Sequence, residues 1–285
     1  MAKVHVVTDS TADIPESLRE ELGISVVPIK VHLGGHSYLD GVNLNTEEFY
    51  TRLKETEEIP TTSQPSPIDF VEAFREAAKD GETDVISIHL SSSLSGTYQS
   101  AVLAQSMVED ELKVTVIDSK AAAFAIGMIV VEVARAAREG KTLDECVALA
   151  NQLIGSQRIY FLVDTLEYLQ KGGRIGKASA VVGSLLNIKP ILSLNPEGVI
   201  FPADKVRGKN KAAARIQELL KEEFGEGPVK VSVLTTDNPE EGDHWEEQLK
   251  EVFDVKETFR AEIGPGIGSH VGPGTLALVF HPAKG

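Results

Sequence analysis

Short, mainly apolar runs alternate with amphipathic segments along the first half of the chain. The runs at 3–7, 84–90 and 113–118 are typical of strands that are covered on both faces of a sheet. Apolar residues recur at helical spacing elsewhere in this half, which predicts helices over 46–55, 66–80, 95–108, 120–139 and 142–156. Alternation of strands with helices indicates an α/β fold with a parallel sheet.

A second series of strands and helices begins at residue 158 with "RIYFLVD". The segment 179–194 is interpreted as a helix that runs into a strand, and further strands and helices follow until "TLALVF" near the end. No low-complexity linker separates the two series. We therefore predict two α/β domains, an N-terminal domain at 1–157 and a C-terminal domain at 158–285.

The charge and the longest apolar run narrow the functional classes. Lys and Arg total 28 against 43 Asp and Glu, and this net charge of −15 argues against binding to nucleic acid or to anionic membranes. The run at 121–131 is about half of the ~20 residues that cross a bilayer, so it indicates a buried helix. With no signal-peptide pattern at the N-terminus, we expect a cytoplasmic protein without stable membrane insertion. The single cysteine, Cys146, is expected to be a buried thiol.

Four segments rich in hydroxyls or glycine, at 8–15, 60–67, 91–98 and 263–275, follow strands or precede helices. Loops at the carboxyl ends of parallel strands converge on one crevice, where helix amino-termini favour an anion. Hydroxyl groups add neutral donors, and glycines let backbone N–H groups line a concavity. Each segment alone is equally consistent with helix capping or a tight turn. Together they indicate capture of an anionic group.

Two other functional classes are weighed against this interpretation. A serine-dependent hydrolase or acyltransferase would use Ser92 or Ser95 with His270, but the chain lacks the G-x-S-x-G pattern, and His89 is better explained as a core or capping residue. A nucleotide-binding domain is disfavoured because neither G-x-G-x-x-G nor a P-loop lysine occurs. The remaining histidines form no set with metal-ligand spacing, so no metal is expected.

Six motifs in order resemble the DegV family, the FakB-type fatty-acid-binding proteins. They are "VVTDSTADIP", "TTSQPSP", "SSSLSGTYQSA", "VIDSKAA", "DTLEYLQKGGRI" and "IGSHVGPGTLAL". The resemblance implies two α/β domains with a lipid tunnel between them, no cofactor besides the bound fatty acid, and no catalysis by the carrier itself. It implies that the long-chain fatty acid's carboxylate is held by Thr62, Ser95 and His270, with Ser63, Ser92 and Gly268 as second choices. The apolar segments 121–131 and 178–192 are expected to wall the tunnel.

Two basic clusters stand out in this acidic chain. They contain eight of the 28 basic residues: Lys171, Arg174, Lys177, Lys205, Arg207, Lys209, Lys211 and Arg215. Such clusters are either solvated faces or a docking surface. The resemblance implies a fatty acid kinase as the partner, to which the protein presents its lipid for phosphorylation. We expect Arg174 and Arg207 to lie on exposed connections and to engage that kinase, because an arginine fork pairs with carboxylate or phosphate.

Overall fold

The computed structural model describes residues 3–81, 83–183 and 188–283. Its strands are β1 (Lys3–Asp9), β2 (Ser25–Val27), β3 (Lys30–Leu33), β4 (His36–Leu39), β5 (Thr61–Ser63), β6 (Thr83–His89), β7 (Val114–Asp118), β8 (Arg158–Leu162), β9 (Ile188–Leu194), β10 (Ile200–Arg207), β11 (Val229–Thr235), β12 (Val255–Glu262) and β13 (Leu276–Pro282). Its α-helices are α1 (Glu16–Leu22), α2 (Thr46–Lys54), α3 (Pro67–Ala77), α4 (Thr97–Met107), α5 (Phe124–Arg138), α6 (Leu143–Ser156), α7 (Glu167–Lys171), α8 (Lys209–Phe224), α9 (Pro239–Val252) and α10 (Pro265–Val271). Two 3₁₀ helices span Ser10–Ala12 and Gly176–Val181.

The first sheet is parallel and has the strand order β2-β1-β6-β7. Helices α3 and α4 cover one face, where Phe70 and Phe74 are fully buried. Helices α5 and α6 cover the other face. Both faces are therefore dry, which explains why the strands are apolar without strict alternation. The predicted parallel α/β layer is confirmed.

The second sheet has six strands in the order β10-β9-β8-β13-β11-β12, and only β11 and β12 run parallel. Helices α8 and α9 pack on one face of this sheet. The other face packs on α5 and α6, which come from the first half of the chain. Helix α5 is thus enclosed between two sheets, and Ile126, Ile129 and Val130 have no exposed surface. The prediction of a buried helix at 121–131 is confirmed.

The proposed boundary between 157 and 158 falls between α6 and β8, with one sheet on each side. Because α5 and α6 pack against both sheets, the two halves share one hydrophobic core. The boundary therefore stays a prediction.

Of the segment 178–192, residues 184–187 lie outside the described residues. Among the helices of the described part, none is long and apolar enough to cross a membrane.

A third sheet, of order β4-β3-β5, was not predicted. Its strands are only three or four residues long, so their pattern is too short to separate from that of a loop. Val31 and Leu33 of β3 point into a small core with Phe49 and Leu53 of α2. The sheet matters for the site because β5 carries the "TTS" motif, which thereby becomes rigid strand instead of loop.

The glycine-rich segment at 263–275 was expected to be an open loop lining a concavity, and this prediction is wrong for its central part. Pro265–Val271 forms helix α10, with Gly264 as N-cap and proline at the first helical position. A Cβ on Gly266 would lie 2.8 Å from Oδ2 of Asp40, and one on Gly268 would lie 2.9 Å from a ring carbon of Phe49. The glycines allow α10 to pack closely on the first half of the chain.

Candidate functional site

A cavity with about 780 Å³ of empty space lies between the first and second halves of the chain. Most of its lining is aliphatic or aromatic, and both halves contribute to it. These apolar residues are Ile29, Leu90, Leu94, Ala122, Ala123, Ile159, Phe161, Leu169, Leu194, Ile200, Ile263, Ile267, Val271 and Ala277. The apolar character of this lining is that of a site for a small organic ligand. Of the segment 121–131, only Ala122 and Ala123 reach the cavity, because the rest is buried in the shared core.

Thr62 and His270 meet at the polar part of this lining. Thr62 Oγ1 on β5 and His270 Nε2 on α10 are 2.8 Å apart, although 208 positions separate them in the sequence. Nδ1 of His270 is buried, lacks a hydrogen-bond partner and lies against Gly172. Burial, together with the nearby positive charge of Arg174, lowers the pKa of His270 to about 4. The ring is therefore neutral at physiological pH and can act as a hydrogen-bonding group without a buried cation.

Ser95 brings the amino-terminus of α4 to the same cavity. Its Oγ lies 2.9 Å from Oγ1 of Thr97 and accepts the Thr97 N–H at 3.3 Å. The N-cap residue, Gly96, has no side chain to satisfy the remaining N–H groups of the first turn. Ser95 thus caps the helix in part, as the capping alternative predicted, and still lines the cavity. The partial positive charge of the helix end makes this side of the cavity favourable for an anion.

The other serines of the motif have a structural task. Ser91 Oγ donates to the Gly198 carbonyl at 3.0 Å, and Ser93 Oγ donates to the Glu197 carbonyl at 2.7 Å. These bonds hold the turn between β9 and β10 against the first half. The hydroxyl of Ser92 lies beside Lys120 and Asp118, where it accepts from Nζ of Lys120 at 3.5 Å, and the Ser92 backbone N–H donates to Asp118 at 3.2 Å. None of the three lines the cavity, so the expectation that the hydroxyls at 91–97 face the ligand together is corrected to Ser95.

Two more second-choice residues are placed as follows. Ser63 borders the cavity, but its hydroxyl is 2.8 Å from Nε2 of His32. Side chains alternate along a strand, which is consistent with Thr62 facing His270 while Ser63 faces His32. Gly268 is buried against Phe49 and does not line the cavity. The structure therefore brings Thr62, Ser95 and His270 to the cavity, with Ser63 at its edge, and leaves Ser92 and Gly268 outside.

The expectation that Arg174 lies on an exposed connection is wrong. Its side chain is half-buried and lines the cavity, with Nε donating to the Leu94 carbonyl at 3.1 Å and Nη1 to the Gly172 carbonyl at 2.6 Å. Gly173 has a φ of +71°, and this left-handed turn reverses the chain so that Arg174 points back toward the 91–96 loop. Arg207, by contrast, is exposed at the end of β10. Gln64 was also missed as a lining residue, although it belongs to the same "TTSQPSP" motif.

A serine, a histidine and an aspartate form a hydrogen-bonded row elsewhere, at the end of the first sheet. Ser87 Oγ is 2.6 Å from His89 Nε2, and His89 Nδ1 is 2.9 Å from Asp9 Oδ2. Burial tends to raise the pKa of Asp9, but hydrogen bonds from His89, Thr11 and Leu90 outweigh burial and hold it below its usual range. All three side chains of the row are fully buried and none lines the cavity. This row is structural, which confirms His89 as a core residue.

A catalytic triad around His270 is not assembled, because its Nδ1 has no carboxylate partner. Cys146 is buried as predicted, and burial raises the pKa of its thiol. Within 3–81, 83–183 and 188–283, no three His, Cys, Asp or Glu side chains are grouped so that they could hold a metal ion. The site is a mostly apolar cavity with neutral polar groups and one arginine, an arrangement suited to holding an amphipathic anion.

Comparisons with known proteins agree with this geometry. The family model described as "Uncharacterised protein, DegV family" matches residues 3–283. A DegV domain-containing protein of Listeria innocua is 40% identical over 279 residues, which is 98% of either chain. A DegV family protein from Thermus thermophilus, described as binding fatty acid, is 37% identical with a TM-score of 0.92, covering 99% of this chain and 100% of that one. DegV from Bacillus subtilis, described as a fatty acid binding protein, is 36% identical with a TM-score of 0.90 over 99% and 100% of the chains.

Proposed function

The chain belongs to the DegV family, and we propose that it binds a long-chain fatty acid in the cavity between its two halves. The acyl chain would lie among the apolar side chains, and the carboxylate would be held by Thr62, Ser95 and His270. The observation that carries this proposal is the contact between Thr62 and His270, a neutral polar pair in the lining of a mostly apolar cavity. The relatives described as fatty-acid-binding support the same ligand class.

The energetics are consistent with tight binding. Burial of about 14 methylene groups at ~0.8 kcal/mol each contributes a gross free energy near 11 kcal/mol. Loss of ligand freedom removes several kcal/mol, which leaves an affinity that is roughly micromolar or tighter. The buried head group needs hydrogen-bond donors, since an unpaired polar group in such a place costs about 1–3 kcal/mol. Thr62, Ser95 and the positive end of α4 supply them, and the half-buried guanidinium of Arg174 lies in the same lining.

Mass spectrometry of an organic extract from the purified protein tests the proposal. We expect one fatty acid per chain. Ala122→Phe is the matched variant, because Ala122 lines the cavity and a phenyl ring there would occupy the acyl space. The variant should retain its helical circular dichroism and lose the fatty acid. An extract without stoichiometric fatty acid, together with no uptake of added palmitate or oleate, would contradict the proposal.

The carrier would act in the cytoplasm and present its fatty acid to a separate kinase, which phosphorylates the carboxylate with ATP. Arg207 supports this docking role because it is exposed at the end of β10. Arg174 lines the cavity instead, so its replacement would disturb lipid binding as well as docking. The two arginines, for which the same docking role was expected from the sequence, therefore lie in different surroundings and need separate tests.

Arg207→Glu is the cleaner test of docking. We expect it to lower kinase-dependent formation of acyl phosphate strongly while the fatty acid content of the protein stays unchanged. Lys113→Glu is the control, since Lys113 is exposed in the first half and makes only a loose ion pair with Asp84 at 3.8 Å. The wild-type reaction should also weaken as salt rises, because exposed charges are screened over about 8–10 Å. Normal phosphorylation of the Arg207→Glu protein would exclude Arg207 from docking.

A further inference from the structure

A second cleft is lined in part by Gly264 and Pro265 at the start of α10. Four buried side-chain atoms of its lining have no hydrogen-bond partner among the described residues, namely Asp13 Oδ2, Arg19 Nε, Asp40 Oδ2 and Arg260 Nη1. Buried polar atoms without partners are rare in folded proteins, and each calls for a physical explanation. None of these residues takes part in the proposed lipid site.

The first turn of α10 rests on the carboxyl groups of Asp13 and Asp40. The N–H of Gly264 donates to Asp13 Oδ1 at 3.1 Å. A Cβ on Gly264 would lie 2.6 Å from Asp13 Oδ1 and 3.9 Å from Asp40 Oδ1, so both carboxyls reach the same backbone position. Just before the helix, Tyr50 donates its hydroxyl to the Ile263 carbonyl at 2.9 Å.

The same short helix carries part of the lipid site. Ile267, His270 and Val271 of α10 line the lipid cavity. A displacement of its first turn would therefore shift His270 relative to Thr62, its 2.8 Å partner on β5. The carboxyl pair and the head-group site are linked through one rigid element.

Burial disfavours negative charge on both acids. Burial raises the pKa of Asp40 to about 6, although the Ser10 hydroxyl and the Gly266 N–H offset part of this effect. Burial, with the negative charge of Asp40, raises the pKa of Asp13 well above its usual range. The charged and titratable groups facing the pair or Tyr50 are Asp9, Arg19, Asp237 and Glu262, and the cleft is also lined by Glu16, Glu47 and Arg260. The positive charge of Arg19 offsets part of the rise in the pKa of Asp40.

We propose that Asp13 and Asp40 form a pH-sensitive clamp on the first turn of α10, and that ionisation of both carboxyls loosens α10 and weakens retention of the fatty acid. A single negative charge strengthens the hydrogen bonds from the α10 amides, whereas a second buried charge repels the first. The clamp is therefore tighter with one carboxyl ionised than with both, and it loosens as the pH rises through the second ionisation. The lipid part of this inference rests on the proposed function.

The test compares the wild type with Asp13→Asn and Asp40→Asn. Asparagine keeps a side-chain acceptor for the α10 amides and cannot ionise. It also tolerates the left-handed conformation of residue 13, whose φ is +50°. Glu16→Gln is the control, since it removes an exposed charge from the same cleft without touching α10.

Two readouts are needed, each measured at about pH 6.5 and at about pH 9, so that the more strongly ionised state of the pair is compared with the less ionised one. The first is the affinity for a fluorescent polyene fatty acid, which should fall about fivefold in the wild type and in Glu16→Gln with rising pH, and less than about twofold in Asp13→Asn. The second is the hydrogen-exchange protection of residues 265–271 in protein stripped of lipid, corrected for the intrinsic pH dependence of exchange. Protection should fall in the wild type and stay level in Asp13→Asn.

The two readouts separate the two proposals. Failure of every variant to bind the probe would overturn the proposed function, while pH-dependent protection of α10 would still support the clamp. Equal pH dependence of protection in the wild type and in both asparagine variants would overturn the clamp, whatever the lipid affinity. A wild type whose protection does not change with pH would overturn it as well.

Discussion

Two histidines bonded to hydroxyl side chains lie in very different surroundings. His89 bonds Ser87 and Asp9 in a complete row, and every member is fully buried. His270 bonds Thr62 beside a cavity, and its other nitrogen has no partner. Ser87, His89 and Asp9 are the residue types of a catalytic triad, but no substrate can reach them. His270 lines a cavity that a ligand can enter, but among the described residues it has no carboxylate beside it.

Structural and functional polar groups therefore differ less in residue type than in two other properties. These are whether all their hydrogen-bonding atoms already have partners within the protein, and whether a ligand can reach them. Asp9 receives bonds from His89, Thr11 and Leu90, so little hydrogen-bonding capacity remains for a ligand. His270 keeps free capacity in a place where burial already disfavours its charge. An unpaired buried nitrogen costs free energy, so a ligand that hydrogen-bonds to His270 would remove this cost and bind more tightly.

Removal of the Asp9 carboxylate from the buried row should have the greatest effect of the substitutions considered, and it should act on stability. Asp9→Ala should destabilise the protein by about 3–5 kcal/mol, because it leaves His89, the Thr11 N–H and hydroxyl, and the Leu90 N–H without their acceptor. Urea denaturation followed by circular dichroism would measure the loss. Asp84→Ala is the control on the neighbouring strand, where a partly exposed carboxylate should contribute less than about 1 kcal/mol. Equal losses in the two variants would show that the row is not a stabilising unit.

The next effect concerns the cavity. Thr62→Val and His270→Ala should each lower fatty acid affinity by about 10- to 100-fold, because a hydrogen bond to a charged head group contributes about 1.5–3 kcal/mol. Titration with a fluorescent fatty acid would measure this. Ser87→Ala should leave the affinity unchanged, since Ser87 does not line the cavity. A comparable loss in Ser87→Ala would mean that the two histidine sites are coupled.

Sequence reasoning predicted the elements whose signals are long and periodic. Helix α5 was predicted from its apolar run because that run is buried between two sheets. The role of Thr62, Ser95 and His270 came from resemblance, and the structure brings all three to one cavity. Residues whose placement depends on distant partners were not predictable from local pattern. Arg174 reaches the Leu94 carbonyl, 80 positions away, and the glycines of α10 have to fit beside Asp40 and Phe49.

A smaller effect appears in the pH dependence of stability. Burial lowers the pKa of His270 from 6.5 to about 4, so the folded state resists protonation, and stability that is present above about pH 6.5 is lost as the pH falls toward 4. His270→Gln has no imidazole to bind this proton, so it should lose less stability than the wild type as the pH falls. Between neutral pH and about pH 4.5, the free energy of unfolding of the variant should gain on the order of 2 kcal/mol relative to that of the wild type. His281, whose pKa is also lowered to about 4, remains in both proteins. Chemical denaturation at the two pH values would measure the change, and parallel curves would exclude a buried neutral His270.

The smallest difference in fatty acid affinity is expected between variants of two neighbouring serines, Ser95 and Ser92, of the same motif. Ser95→Ala removes a hydroxyl from the cavity and should lower fatty acid affinity by about 3- to 10-fold, less than the loss in Thr62→Val, because the Ser95 hydroxyl also bonds Thr97. Ser92→Ala should change the affinity by less than about twofold, because Ser92 faces Asp118 instead of the cavity. Both measurements use the same fluorescence titration, with circular dichroism to verify folding. Ser95 also caps α4, so thermal melting should show a small loss of stability in Ser95→Ala. Equal losses of affinity in the two variants would mean that the head group lies closer to Asp118 than to His270, because only a head group there could contact Ser92.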